Sequence, residues 1–250
     1  MQSVNIPTLV IIDAVDWSAV YPDRHPLRNV GEWFARFLRD DASLGLNVVH
    51  AAGPVEQAVR AAGVIGVIIS GSPRDAWVRD AVNDRLCEVI LECDQRGKPC
   101  LGVCYGHQLM AVALGAKVGR EPVGVEFGNV AIELTEAGQA DPLFDGVSER
   151  FDALQSHQDA VLSLPSGAEL LAWGVHTRIQ SFRHGRWLRG VQFHPEHDPE
   201  ILRFIWEPRR TTWKDRCSFN INERIDQLRP TPTGPRILKN FLNFCRMNAQ

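Results

Sequence analysis

The sequence predicts an α/β protein, with a mostly parallel central sheet flanked by helices and a small antiparallel addition. Three observations carry this. From residue 8 to residue 115, short β-branched runs alternate with amphipathic helical stripes, the pattern of a parallel sheet covered by helices. One strand-to-helix junction, Gly102-Val103-Cys104-Tyr105-Gly106, has glycines two positions either side of a cysteine. Beyond it, Val125–Leu134 and Trp187–Phe193 look extended and are separated by turn-forming residues, which suits added antiparallel strands.

The elements follow in order. Thr8–Ile12 is a short apolar run ending at Asp13, the signature of a buried strand. A loop containing Pro22 and Pro26 precedes a helix on which Val30, Trp33, Phe34, Phe37 and Leu38 share one face, with Asn29 as N-cap. Val48-Val49 marks a weak strand and Val64–Ile69 a stronger one. Val82, Leu86, Val89, Ile90 and Cys93 form a second helical stripe, closed by Gly97. Pro99–Val103 is a strand, and Tyr105–Leu114 a helix that stops at Gly115. The last stretch is mostly helical, interrupted by Pro230, Pro232 and Pro235. Its final stripe, Ile237, Leu238, Phe241, Leu242 and Cys245, is suited to docking on the core. With no internal repeat, low-complexity segment or linker, the sequence predicts one domain over 1–250 with a helical extension over about 198–250.

Composition narrows the functional classes. The 250 residues are 44% hydrophobic and 23% charged, ordinary for a globular chain, and large enough to bury a core without disulfide or metal staples. The net charge of −3 and the lack of a Lys/Arg cluster leave no footprint for nucleic acid. No apolar run approaches the roughly 20 residues of a membrane span, and the Met1–Thr8 segment has no basic region typical of a signal peptide. Six cysteines are too sparse for a disulfide scaffold, and the expectation is reduced thiols in a cytoplasmic protein.

Cys104 is the candidate nucleophile. A strand running into a helix through a residue flanked by glycines has the logic of the Gly-x-Ser-x-Gly elbow, whose sharp turn leaves no room for neighbouring side chains. Such a turn presents the sulfur at the C-terminal edge of the sheet and beside a helix N-terminus, where partial positive charge favours thiolate. The junction alone is equally compatible with a buried structural cysteine.

Gly102-Val-Cys-Tyr-Gly-His-Gln108 resembles the nucleophile motif of the class I (triad-type) glutamine amidotransferases. Gly190-Val-Gln-Phe-His-Pro-Glu196 resembles the motif that carries their His and Glu, and Ile68-Ile-Ser-Gly-Ser-Pro73 their oxyanion strand. Glu126-Phe-Gly128 and Ser156-His-Gln-Asp159 are similar to segments of the GMP-synthase-like branch. The resemblance spans about residues 6–200 and implies a flavodoxin-like fold. It also implies roles. Cys104 attacks a γ-carbonyl carbon; His194 takes the thiol proton and later protonates the departing ammonia; Glu196 orients His194. Backbone N–H groups of Tyr105 and the Gly71-Ser72 loop hold the oxyanion, although many relatives have Gly-Gly-Pro where this chain has Gly71-Ser72-Pro73. Gln108, Ser156 and His157 hold the glutamine head group.

Other features read more plainly. His194-Pro195-Glu196-His197 lacks the spacing of His-Glu-x-x-His, and Cys100 and Cys104 have no matching pair, so no metal site is expected and no cofactor. Cys87 and Cys93 belong to a helix core, His107 to helix packing, and Glu126 is evenly balanced between pocket and structure. Trp17, Trp33, Trp77, Trp173, Trp187, Trp206 and Trp213 are scattered and read mostly as packing residues.

Three functions share these residues. The first is hydrolysis of the glutamine side-chain amide through a γ-glutamyl thioester, with ammonia passed to a separate synthetase, since no P-loop or other nucleotide-binding glycine-rich loop occurs in the chain. The second is a self-sufficient hydrolase of another γ-glutamyl compound, a peptide or amine. The third is a non-catalytic binding module, against which the intact Cys104, His194 and Glu196 argue.

Overall fold

The computed structural model describes residues 6–16, 26–39 and 43–249. The Met1–Asn5 segment, Trp17 and the loop at Pro22 lie outside them. In chain order the strands are β1 (Thr8–Asp13), β2 (Gly45–His50), β3 (Val64–Ile69), β4 (Cys100–Val103), β5 (Val118–Arg120), β6 (Glu126–Leu134), β7 (Arg150–His157), β8 (Asp159–Val161), β9 (Ala168–Trp173), β10 (Ser181–His184) and β11 (Leu188–Val191). The helices are α1 (Val30–Leu38), α2 (Val55–Arg60), α3 (Ala81–Gln95), α4 (Tyr105–Ala113), α5 (Glu136–Ala140), α6 (Pro199–Trp206), α7 (Arg209–Thr212), α8 (Ile221–Asp226) and α9 (Thr233–Met247).

Among the described residues, nine strands form one sheet in the order β2-β1-β3-β4-β11-β10-β9-β6-β7, and β5 pairs with β8 apart from it. The strands from β2 to β11 pair in parallel. From β11 onward the pairing is antiparallel, so the addition continues the same sheet. The inner parallel strands β3, β4 and β11 are buried throughout, which is why β3 is a continuous apolar run, whereas the edge strand β2 is partly exposed. Alternate residues feed opposite cores: Leu9 and Ile11 meet α1 and α9, while Val10 and Ile12 meet α2, α3 and α4.

The helices begin where the sequence offers caps. The Asn29 side chain accepts from the Glu32 N–H, as its position predicts, and Asp80 accepts from the Val82 and Asn83 N–H groups, each cap contributing about 1 kcal/mol. The final stripe of α9 is buried throughout against the first core. A third cluster joins Phe127 and Leu154 of the antiparallel strands to Leu202, Trp206, Ile221 and Ile225 of the C-terminal helices. No helix among the described residues is long and apolar enough to cross a membrane.

Because β1, β3, β4 and β11 are parallel, their C-terminal ends share one edge of the sheet. Ala14, Ser70-Gly71, Cys104 and the segment after Val191 therefore converge, where open α/β sheets hold ligands.

Candidate active site

Cys104 joins β4 to α4 at φ +50° and ψ −101°, and among the described residues it is the one non-glycine with positive φ. A β-carbon in this region is strained by about 1–3 kcal/mol, and the neighbours hold it there. The Cys104 N–H donates to the Val191 carbonyl (2.8 Å), and its carbonyl accepts from the Gln108 N–H (3.0 Å). The turn is tight enough that a Cβ on Gly102 would lie 2.4 Å from the Gly106 carbonyl oxygen, and one on Gly106 2.4 Å from that of Ile69. Both glycines are therefore dictated by close backbone approach.

His194 lies across from this turn. Its N–H donates to the Leu154 carbonyl (2.9 Å), tying it to β7, and its Nδ1 lies 2.8 Å from Glu196 Oε1. Arg36 of α1 clamps the segment, donating to the Glu196 carbonyl (2.7 Å) and to Asp198 (2.5 Å). Nε2 of His194 is buried and makes no hydrogen bond of standard geometry, yet the ring interacts with the Cys104 sulfur. Burial opposes charge on the ring, but Glu196 on one side and the sulfur on the other outweigh it and raise the His194 pKa to about 10.

Ser70 and Ser72 stitch the loop after β3 to the end of β1. Ser70 Oγ accepts from the Ala14 N–H (3.0 Å), and Ser72 Oγ donates to the Ala14 carbonyl (2.7 Å). The Ser72 side chain is thus turned away and held, and among the described residues no hydrogen bond occupies its N–H or that of Tyr105. A Cβ on Gly71 would come within 2.7 Å of His194 Cε1, so this glycine is what lets the imidazole approach the loop. The Tyr105 side chain points elsewhere, donating to Asn83 Oδ1 (2.5 Å).

Two clefts meet at Cys104 and share Ser72, Pro73, Ser156 and Arg209. One is polar, with Arg74, Asp75, Gln108, His157 and Asp159 in its wall. The other is lined by His194, Glu196 and His197 together with Val15, Val30, Trp33 and Ile205.

The three head-group residues anticipated from sequence all line the polar cleft, and each is already bonded. Gln108 Nε2 donates to the Asp159 carbonyl (2.7 Å) and to Gln192 Oε1 (3.1 Å). Ser156 Oγ accepts from Trp206 Nε1 (2.8 Å). His157 sits between Glu126 Oε2 (2.9 Å) and the Asp159 carbonyl (3.0 Å). Glu126 is buried, an unfavourable setting for its charge. Hydrogen bonding and attraction from His157 prevail and hold its pKa below the usual carboxylate value. Glu126 stands directly opposite His157 in the β6–β7 register, and Phe127 opposite Ser156. Glu126 supports the cleft from behind, and His107 is buried against Phe182.

The walls supplied by Val30, Trp33, Ile205, Trp206 and Trp213 were not anticipated from sequence. Trp33 looks like one more core position on a helical stripe, and Trp206 and Trp213 lie outside any motif.

His194, Glu196 and His197 offer three donors within 4.8 Å. They do not fit a metal ion. The two rings stack at 3.9 Å with planes 4° apart, so their lone pairs lie in separate parallel planes, whereas bonds of about 2.0–2.1 Å require one ion to lie close to both planes. Glu196 Oε1 is also engaged by His194. Burial, then the charge of His194, push the His197 pKa well below the ordinary histidine value, leaving a neutral ring stacked on a charged one.

A cysteine, an imidazole and a carboxylate in this order, next to two unoccupied N–H groups, can carry out acyl transfer. Comparison with known proteins points the same way. The profile of the family described as glutamine amidotransferase class-I matches residues 33–202. Gamma-glutamyl peptidase 5 of Arabidopsis thaliana is 36% identical over 139 residues, 55% of this chain and 55% of that protein. The match thus spans about half the length of that relative. A GMP synthase (glutamine-hydrolyzing) subunit of Pyrococcus abyssi is 34% identical over 184 residues, 70% of this chain and 92% of that one. The crystal structure of a glutamine amido transferase from Methylobacillus flagellatus superposes with a TM-score of 0.74, covering 98% of this chain and 96% of its own at 18% identity, which speaks for the fold alone. The profile match over two-thirds of the chain and the Pyrococcus relative together establish that this chain belongs to the class-I glutamine amidotransferase family.

Proposed function

We propose that this chain hydrolyses γ-glutamyl amide bonds through a thioester on Cys104, with His194 as proton carrier and Glu196 as its orienter. The observation that carries this is the strained backbone of Cys104 beside a buried His194–Glu196 pair. Strain at a buried, well-packed position calls for a functional reason.

The Cys104 proton passes to His194 as the sulfur attacks the γ-carbonyl carbon, forming a C–S bond while the carbonyl π electrons move to oxygen. The N–H groups of Ser72 and Tyr105 receive that oxyanion, each worth about 3–4 kcal/mol to the barrier. The C–N bond then breaks as His194 gives its proton to the departing nitrogen. Water adds to the thioester, His194 takes a proton from it, and the sulfur leaves with the electrons of the C–S bond. Gln108, Ser156 and His157 position the γ-glutamyl group in the polar cleft.

Glutamine is the smallest substrate of this kind, giving glutamate and ammonia. As an ammonia donor the chain would work with a separate synthetase, in line with the GMP synthase relatives. The peptidase relatives support the alternative of a larger γ-glutamyl compound. Six free cysteines suit a reducing compartment such as the cytoplasm.

The test is glutamate release from glutamine and γ-glutamyl peptides by wild type and Cys104→Ala. Release by the wild type alone supports the proposal; equal release by the variant refutes it.

A further inference from the structure

The leaving group has its own cleft. In the reaction proposed above, on which this inference rests, the departing nitrogen takes its proton from His194 and must sit on the His194 side of the scissile carbon. His194 and Glu196 line one of the two clefts at Cys104 and not the other. The γ-glutamyl chain, with its charged amino and carboxylate groups, belongs with the polar wall of Gln108, His157 and Asp159. The amine therefore departs into the cleft walled by Val15, Val30, Trp33 and Ile205.

Ammonia needs nothing of that kind. It is about the size of a water, for which a cavity of about 10–15 Å3 suffices. The cleft holds about 90 Å3, as much as the polar cleft assigned to the glutamyl chain. Its wall is also preformed. Trp33 Nε1 donates to the Leu27 carbonyl (2.9 Å), and the Trp33 ring packs edge-on against His197 at 5.3 Å. The neutral His197 fills the space beside His194 without placing a second charge there.

We infer that the substrate is a γ-glutamyl amide whose amine portion carries an apolar group, held by Val30, Trp33 and Ile205 while His194 protonates the nitrogen. The glutamyl half is common to every such substrate, so selectivity lies in this second cleft. The walls come from α1 and α6, outside the motifs that build the reacting centre.

The test is a kcat/KM series over glutamine, γ-glutamyl-glycine, γ-glutamyl-leucine and γ-glutamyl-phenylalanine. An apolar pocket discriminates by about tenfold or more for small changes in apolar size. The leucine and phenylalanine compounds should exceed the glycine compound by at least about that factor. Ile205→Asp and Val30→Asp should each pull that ratio towards unity, with labelling of Cys104 by a γ-glutamyl electrophile reporting that the glutamyl side is intact. Cleavage of all four compounds at similar rates, or a preference for glutamine, overturns the inference and leaves the hydrolase proposal standing. Failure to cleave any of them, with no labelling of Cys104, overturns both.

Discussion

The parallel and antiparallel halves of the sheet build their parts of the site by different means. In the parallel half, backbone geometry does it. The Cys104 turn, the Gly71 loop and the junction glycines are fixed by close approach and strain. In the antiparallel half, side chains do it. Gln155 donates to Gln180, Gln180 to Glu126, and Glu126 holds His157, which also bonds the Asp159 carbonyl. The first construction leaves few alternatives and suits atoms that react. The second can be retuned one residue at a time and suits the recognition of a substrate.

Substitutions in the two halves should therefore fail differently. The largest effect is expected from Cys104→Gly. Activity should fall by about 10⁴-fold or more, as for other lost nucleophiles. Cys104→Gly should be at least as stable as Cys104→Ala, which loses the same buried sulfur but keeps a Cβ in the strained turn, because relief of about 1–3 kcal/mol of strain offsets the roughly 1 kcal/mol entropic cost of a glycine. Denaturant midpoints for the two variants would show it; a glycine variant clearly less stable than the alanine one would mean the turn is not strained.

Glu196→Gln comes next, with a loss of about 10²–10⁴-fold from a misoriented imidazole. It also carries a pH signature. The folded pKa of His194, about 10, lies above the ordinary 6.5. The stabilisation from this proton is therefore fully present below about pH 6.5 and is lost as pH rises through about 10. The variant should lose less stability over that window. Urea midpoints from pH 6 to pH 10 measure the difference; parallel curves would contradict the pairing.

Gly71→Ala should cost about 10²-fold in kcat, because the added Cβ, 2.7 Å from His194 Cε1, displaces the ring, and misplacement of about 1 Å has that effect. Unchanged kcat would show that the loop yields. The smallest change is expected in the antiparallel half. Glu126→Gln weakens the support of His157 and should raise KM about tenfold, the cost of one impaired buried hydrogen bond, with kcat nearly constant. A fall in kcat with unchanged KM would place His157 in the chemistry instead.

The same contrast explains what could be read from the sequence. Steric demands leave a local trace, so the glycines around Cys104 and the apolar run of β3 mark the elbow and the buried strands. Asn29 caps α1 where its position says it should. The antiparallel half depends on partners 31 to 54 residues apart, such as Glu126 with His157 and Gln180, and nothing local names them. Trp33 shows the limit. On a helical stripe it is indistinguishable from Phe34 beside it, yet one lines a cleft and the other is sealed in the core.

The covalent intermediate on Cys104 is the most direct signature of this chemistry. Wild-type protein mixed with a γ-glutamyl substrate, quenched in acid within the first turnover and mapped by peptide mass spectrometry, should carry one γ-glutamyl group as a hydroxylamine-sensitive thioester on Cys104. Turnover with no adduct on Cys104, or an adduct confined to Cys87 or Cys217, would contradict it.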